Sequence, residues 1–190
     1  MSHKFISNAK FHLLLNTIDQ ETSKKVQQEG CIYCGHKLHQ ADYPRSPVGL
    51  PPQFRNDYSK RFSFCCNQCR RRITPQSVRF FGRRWYPAPL FMLISVLAVG
   101  INERRLALVK KHFGITVSES TWKRWRRWWR DSFQSTQFWQ QHKGLIPAPM
   151  ESRCHYPRAL LVVFKGLLEE KMRFLLQFLS PLTSGILRAV

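Results

Sequence analysis

The spacing of the hydrophobic positions changes along the chain and divides it into four segments. In residues 1–29 the apolar positions recur at helical spacing, which predicts a short leader helix that packs on the next segment through Phe11, Leu14, Leu15 and Ile18. In residues 30–86 the spacing is typical of strands, with hydrophobic anchors at Phe62, Phe64, Ile73, Val78, Phe80 and Phe81. The first half of the chain is therefore predicted to contain one helix and small antiparallel hairpins.

Residues 87–135 predict three consecutive helices. The first covers PAPLFMLISVLAVGI, residues 87–101, which is bounded by prolines on one side and by the polar residues 102–105 on the other. Because a membrane span needs roughly 20 apolar residues, we expect a buried helix here and no membrane partner. In the second helix Leu106, Val109 and Phe113 share one face, and Gly114 supplies the stop.

The third helix has the clearest pattern of the three. Ser118 is a suitable N-cap, and the aromatic stripe that follows, opposite basic side chains, consists of Trp122, Trp125, Trp129 and Phe133. A recognition helix needs both sides, since one side docks on its own bundle while the other enters the major groove. This spacing predicts a helix-turn-helix that contacts base edges through Glu119, Ser120, Lys123, Arg124 and Arg127.

The last segment, residues 136–190, contains a leucine-rich helix after a proline-interrupted connection. One face of this helix carries Leu168, Met172, Leu175, Leu176 and Leu179, and Pro181 ends it. Such a face either closes the core of the bundle or forms an oligomerisation surface, for example in a homodimer. Both uses remain open at the level of the sequence.

Four cysteines in two Cys-x-x-Cys pairs predict a metal site. Cys31 and Cys34 form the first pair, and Cys66 and Cys69 form the second. Each turn brings two thiolates within reach of one ion, and two turns complete a closed tetrahedral site, so we expect one structural Zn²⁺. Gly35, directly after the first pair, suits a turn that needs positive φ.

Several alternatives to this ligand set are open. Cys65 can replace Cys66 as a ligand, and His36 or His39 can displace a cysteine. The thiols can also form disulfides or remain without metal. We favour zinc because the sequence shows no secretory leader and its charge indicates a reducing compartment, and we expect a cytoplasmic, nucleoid-associated protein.

The formal net charge of +20 predicts a polyanionic partner. Residues 58–130 hold 17 Lys and Arg residues but only two acidic residues, Glu103 and Glu119. This excess coincides with the second cysteine pair and the third helix, which fits double-stranded DNA better than a membrane surface. We expect phosphate contacts from Arg70, Arg71, Arg72, Arg83, Arg84, Arg104, Arg105, Lys110, Lys111, Arg126 and Arg130. The arginines of the stretch ITPQSVRFFGRRWYP, residues 73–87, are likewise expected to face phosphate.

The acidic residues argue against a nuclease. Two-metal DNA cleavage requires a cluster of carboxylates, whereas the 11 Asp and Glu residues here are scattered along the chain, apart from Glu169 and Glu170. We therefore expect no catalytic residues. A transposase-like enzyme with an unrecognised active site, and an RNA-binding zinc-ribbon protein, are the competing hypotheses.

Two cysteine knuckles, a basic strand and a helix-turn-helix are together similar to the DNA-binding regions of bacterial insertion-sequence transposases and of their accessory proteins. The matching residues are CIYCG, CCNQC with its tail RRRITPQSVRFFGRR, and GITVSESTWKRWRRWW, within residues 30–135. The resemblance implies binding to the ends or the promoter of a mobile element, with a separately encoded transposase or integrase as partner. The C-terminal 55 residues take no part in it.

The expected fold is α+β and mostly helical. It comprises a leader helix in residues 1–29, a zinc ribbon with a basic exit strand in 30–86, a three-helix helix-turn-helix in 87–135 and a helical segment in 136–190 that serves packing or oligomerisation.

Overall fold

A computed structural model describes residues 7–81, 87–89, 91–92, 107, 110–111, 116, 118–145 and 156–184. The chain divides into two compact units, one of residues 1–88 and 176–190, the other of residues 89–175. Five α-helices and small antiparallel sheets occur in the described residues, which confirms the α+β, mostly helical class. The arrangement as a zinc ribbon plus a helix-turn-helix remains a prediction.

Helix α1, Ala9–Glu29, opens the first unit. The side chain of Asn8 caps it by accepting a hydrogen bond from the Lys10 amide at 3.0 Å, and it ends at Gly30 with φ 80°. The predicted apolar stripe is partly wrong, because Leu14 is exposed and Ile18 is half-buried. The buried face also includes polar side chains, and its members are Phe11, His12, Leu15, Asp19 and Ser23.

Two short antiparallel sheets follow α1. The first has the strand order β1 (Leu38–Gln40), β4 (Phe64–Cys66) and β5 (Arg72–Ile73), and the second pairs β2 (Tyr43–Pro44) with β3 (Lys60–Arg61). Two 3₁₀ turns, Pro52–Phe54 and Asn56–Tyr58, connect β2 to β3.

The pleat of the first sheet creates a small hydrophobic core within residues 31–73, the part of the predicted zinc ribbon that we call the ribbon. Leu38 pairs with Cys66, and Phe64 pairs with Ile73, so these four side chains lie on one face and are buried. Val26 of α1 packs against this core, as expected for a leader helix that lies on the ribbon.

The β-type pattern predicted for residues 73–87 is only partly described, because residues 82–86 lie outside the described part of the chain, and the strand that enters it ends at Ile73. Residues 74–81 are mostly irregular, although Val78 and Phe80 are buried anchors as expected and Phe80 forms an isolated bridge with Pro87. Side-chain hydrogen bonds replace the strand ladder here, since Asp19 accepts from the Val78 amide at 2.7 Å and from the Ser77 hydroxyl. The buried Asp19 carboxylate therefore fixes the backbone around Val78.

The second unit is helical in its described residues. It contains α2 (Glu119–Arg127), which continues as a π-helical turn over Trp128–Ser132, then α3 (Gln137–His142) with a 3₁₀ turn at Lys143–Leu145, and α4 (Arg158–Val163). Helix α5 (Leu168–Leu179) follows, and the division between the units falls within it.

The leucine-rich segment forms two helices. Gly166, with φ 101°, lies between α4 and α5, where a Cβ atom would collide with the Glu170 carboxylate. The predicted face of α5 is confirmed, since Met172, Leu175, Leu176 and Leu179 are buried and Leu168 is half-buried. The helix gives way at Ser180 to a 3₁₀ turn that contains Pro181.

The first two helices predicted in residues 87–113 are described only in part. Ala88, Pro89, Phe91, Met92, Ala107, Lys110 and Lys111 have helical backbone. Leu106, Val109, Phe113 and the glycine stop lie outside the described residues. Within the described part of the chain, no helix combines the length and the apolar character that crossing a membrane requires.

Candidate metal centre and nucleic-acid interface

The four predicted ligand thiols converge on one point. The Sγ atoms of Cys31, Cys34, Cys66 and Cys69 all lie within 4.8 Å of one another. Two of the separations are 3.6 Å, between Cys31 and Cys69, and 3.5 Å, between Cys34 and Cys66. A tetrahedral site with Zn–S bonds of about 2.3 Å has sulfur atoms about 3.8 Å apart, so the cluster fits such an ion.

The first pair sits in a knuckle that begins where α1 ends. The Gly35 amide donates to the Cys31 carbonyl at 2.7 Å, and the Cys31 amide donates to the His36 carbonyl at 2.9 Å. This turn requires positive φ directly after the second cysteine, and Gly35 has φ 71° there, as the sequence predicts.

The second pair repeats this turn at the end of β4. The Cys66 amide donates to the Arg71 carbonyl at 3.0 Å, and the residue after Cys69 again has positive φ. That residue is Arg70, with φ 58°. An arginine thus occupies the position at which the first knuckle has glycine.

The pleat of β4 places only one of the two adjacent cysteines, Cys65 and Cys66, beside the other thiols. Cys66 faces the core beside the other three thiols, whereas Cys65 faces the other side and donates to the Arg70 carbonyl at 3.5 Å. His36 and His39 are exposed and lie outside the group of four. The ligand set Cys31, Cys34, Cys66 and Cys69 is therefore the one that the structure brings together.

The close packing of the four thiols shifts the pKa values of two of them in opposite directions. Burial raises the pKa of the Cys66 thiol, but hydrogen bonds from the amides of Cys69 and Gln68 and from the Cys34 thiol outweigh it and lower that pKa to about 6. At Cys69 the Arg71 amide lowers the pKa, but burial and the neighbouring thiols outweigh it and raise the pKa to about 12. A metal ion bound among these sulfur atoms would supply positive charge and favour their deprotonated form.

The second feature of interest is the helix that begins at Ser118. Its hydroxyl caps the helix by accepting from the Thr121 amide at 3.3 Å, as predicted. The aromatic side is fully buried, with Phe91 edge-on to Trp125 at a centroid distance of 4.8 Å, and it consists of Trp122, Trp125, Trp129 and Phe133. The half-buried Trp128 packs edge-on against Trp129.

The opposite side of this helix is exposed and cationic. We call it the cationic face and define it by Lys123, Arg124, Arg126, Arg127 and Arg130. Glu119 and Ser120, also predicted to contact bases, are exposed at its N-terminal end. The predicted separation into an aromatic side and a basic side is confirmed.

Two acidic side chains pair with members of the cationic face. Glu119 lies 2.8 Å from the Lys123 ammonium, and the Asp131 carboxylate accepts two hydrogen bonds from Arg130 at 2.6 and 2.9 Å. The bond from Arg130 holds the pKa of Asp131 below its usual value. Both pairs are exposed, so each contributes little to stability.

The remaining predicted phosphate contacts are distributed as follows. Arg70, Arg71 and Arg72 are exposed on the ribbon, and Lys110 and Lys111 are exposed at helical positions. Arg72 also donates to the Ala41 carbonyl at 2.8 Å and to the Ser63 hydroxyl at 3.1 Å. Arg83, Arg84, Arg104 and Arg105 lie outside the described residues.

A buried ion pair was missed by the sequence analysis. Arg79, in the tail whose arginines are expected to face phosphate, is instead 2% exposed, and its Nε donates to Asp19 at 2.8 Å. Arg61 is also buried and donates to the carbonyls of Pro75 and Thr183. The helical recurrence of Asp19 after Phe11 and Leu15 is the one signal that could have suggested a buried carboxylate.

Comparison of the chain with models of known protein families, with curated proteins and with solved structures found no match.

Proposed function

We propose that this protein binds double-stranded DNA through the cationic face and holds one structural zinc ion at the four cysteines. The observation that carries the proposal is the two-sided helix, with its tryptophans buried and its basic side chains exposed. A helix anchored in this way presents guanidinium groups on a rigid support, and guanidinium groups bind phosphates and the acceptor edge of guanine.

Charge and position support the proposal. The net charge of +20 attracts a polyanion, and the ribbon adds Arg70, Arg71 and Arg72 as exposed cations. Glu119, Ser120, Lys123, Arg124 and Arg127 lie in α2 and are exposed, so they are available as base contacts. In this assignment Arg126 and Arg130 bind phosphate.

The finer assignment rests on the resemblance to insertion-sequence transposases and their accessory proteins. In it, the second and third helices of residues 87–135 form a helix-turn-helix that recognises the ends or the promoter of a mobile element. A separately encoded transposase or integrase then supplies catalysis, and the protein works in the cytoplasm at the nucleoid. A homodimer through the C-terminal segment would double the DNA contacts.

Selection from a random duplex pool with zinc-loaded protein at near-physiological salt tests the DNA-binding function. Enrichment of a motif supports sequence reading, because nonspecific phosphate attraction is weak at that salt concentration. Preference for RNA, or cleavage of the duplex with Mg²⁺ or Mn²⁺, contradicts the proposal and indicates one of the competing functions.

A triple variant assigns the interface. Replacing Lys123, Arg124 and Arg127 with alanine should abolish motif-specific binding and leave the circular dichroism spectrum unchanged, since all three side chains are exposed. The matched control replaces three exposed cations of the first unit, Lys10, Lys24 and Arg55, with alanine. It therefore has the same net charge as the triple variant of the cationic face. Equal affinity of the two triple variants for the selected motif contradicts the assignment of the cationic face.

A further inference from the structure

The turn of the first knuckle exposes two apolar side chains. Ile32 is 52% exposed and Tyr33 is 50% exposed, and both lie between the ligand cysteines. Their side chains contribute little to the core of the ribbon, which Cys31, Leu38, Phe64, Cys66 and Ile73 form. Two exposed apolar side chains are too few to mark an interaction site by themselves, so their neighbours decide what they can contact.

The second knuckle places arginines beside this turn. The Arg71 guanidinium lies over the Tyr33 ring, 4.4 Å from its centroid. This cation–π contact joins the two knuckles at the surface and orients a donor group next to the exposed ring. We define the knuckle tip as Ile32, Tyr33, Arg70 and Arg71.

Arg70 adopts a backbone conformation that favours glycine. Its φ of 58° matches the 71° of Gly35 at the equivalent position of the first knuckle, where nothing lies within 4 Å of an added Cβ atom. A side chain other than glycine in the left-handed region is strained, and the Arg70 side chain is exposed, so burial does not offset the strain. Strain of this kind at the surface is a reason to suspect function.

We infer that the knuckle tip is a second DNA-contact surface, an inference that rests on the proposed DNA-binding function. Arg70 and Arg71 bind phosphates along the minor groove, and Ile32 and Tyr33 make apolar contact with sugars and base edges. An aliphatic residue and an aromatic ring flanked by arginines match the way minor-groove proteins wedge against base steps. The occupant is duplex DNA because its charge complements the two guanidinium groups.

The variant Arg70→Gly separates this role from a structural one. In zinc-loaded protein it should melt at the same or a higher temperature, because glycine relieves the strain. The same variant should bind a 30-base-pair duplex more weakly, and the slope of log affinity against log salt should fall by about 0.9 for the lost phosphate contact. Lys10→Ala is the matched control, since it removes one exposed charge at the far end of α1.

A second variant tests the apolar contacts that we infer for Ile32 and Tyr33. The double variant Ile32→Ser with Tyr33→Ser should lose roughly tenfold in affinity without any change in the salt slope, because the lost contacts are uncharged. A lower melting temperature for Arg70→Gly, or affinities of both variants equal to that of Lys10→Ala, overturns the inference.

The outcomes also separate this inference from the proposed function. If zinc-loaded wild-type protein does not bind duplex DNA, the DNA-binding proposal fails. A different result is that wild-type protein binds duplex DNA, the triple variant of the cationic face does not, and both knuckle-tip variants bind like wild type. In that case only the assignment of the knuckle tip as a DNA contact is wrong.

Discussion

At the scale of single residues, one buried carboxylate organises much of the first unit. Asp19 accepts hydrogen bonds from the Arg79 side chain, from the Val78 amide and from the Ser77 hydroxyl. Arg79 also donates to the Asp57 carbonyl and lies 4.8 Å from the Phe62 ring centroid. The charge of this arginine is therefore compensated by one carboxylate and by aromatic and carbonyl groups.

Replacing Asp19 with asparagine should lower the free energy of unfolding by about 3–5 kcal/mol, because the Arg79 charge stays buried without its partner. Denaturant unfolding of the zinc-loaded protein measures the change. Asp131→Asn is the control, since it breaks an exposed pair with Arg130 and should change the free energy of unfolding much less than Asp19→Asn does. Equal losses for the two variants would show that the buried pair does not stabilise the unit.

The choice of cysteine at the end of β4 leads to a second prediction at this scale. Cys66→Ser should lose the tightly held metal, because Cys66 is one of the four converging thiols, whereas Cys65→Ser should retain one zinc per chain. Elemental analysis of the two purified variants measures the difference. Retention of zinc by Cys66→Ser together with its loss from Cys65→Ser would reverse the assignment.

At the scale of elements, the helix that carries the cationic face depends on its cap and on its aromatic side. The Ser118 hydroxyl satisfies the Thr121 amide at the start of α2, and Trp122 and Trp125 bury the opposite side. An amide left without a partner at a helix N-terminus costs stability even when the rest of the helix is unchanged.

Ser118→Ala should therefore destabilise the second unit by about 1 kcal/mol, whereas Ser118→Asp should keep the wild-type stability, because aspartate caps as well as serine does. The transition monitored by tryptophan fluorescence reports mainly on this unit, which contains five of the six tryptophans, among them the buried Trp122, Trp125 and Trp129. A loss of equal size in both variants would mean that the side chain at residue 118 does not act as a cap.

At the scale of the whole molecule, the four-thiol cluster and the cationic face belong to different units. The four thiols lie in the first unit, whereas α2 lies in the second. The core around the cysteines is small, since Cys31 and Cys66 are two of its five fully buried members. We therefore expect this core to need a bound metal ion to fold, so that removing the ion should unfold residues 31–73.

Chelation of the zinc-loaded protein should abolish the dispersed amide signals of residues 31–73 in a nuclear magnetic resonance spectrum. The indole signals of Trp122, Trp125 and Trp129 should persist, because their surroundings contain none of the four ligands. Adding zinc back should restore the ribbon signals. Loss of the indole signals on chelation, or a ribbon that resists metal removal, would contradict the expected structural role of zinc.

Features that depend on local spacing are predictable from the order of residues alone. Two Cys-x-x-Cys turns predict a four-ligand cluster, because each turn is complete within a few residues, but they leave the choice between Cys65 and Cys66 open. The cap at Ser118 and the two sides of the following helix also depend on neighbours within one or two turns, so the helical period alone predicts them.

Features that depend on distant partners become visible only in the folded chain. Register with β1 and β5 turns Cys66, and not Cys65, toward the other three thiols. Arg79 is buried and does not face phosphate as predicted, because Asp19, 60 positions earlier, accepts its hydrogen bond inside the core. Pleat register and the pairing of buried charges depend on residues that only folding brings together. The local hydrophobic period therefore does not predict them.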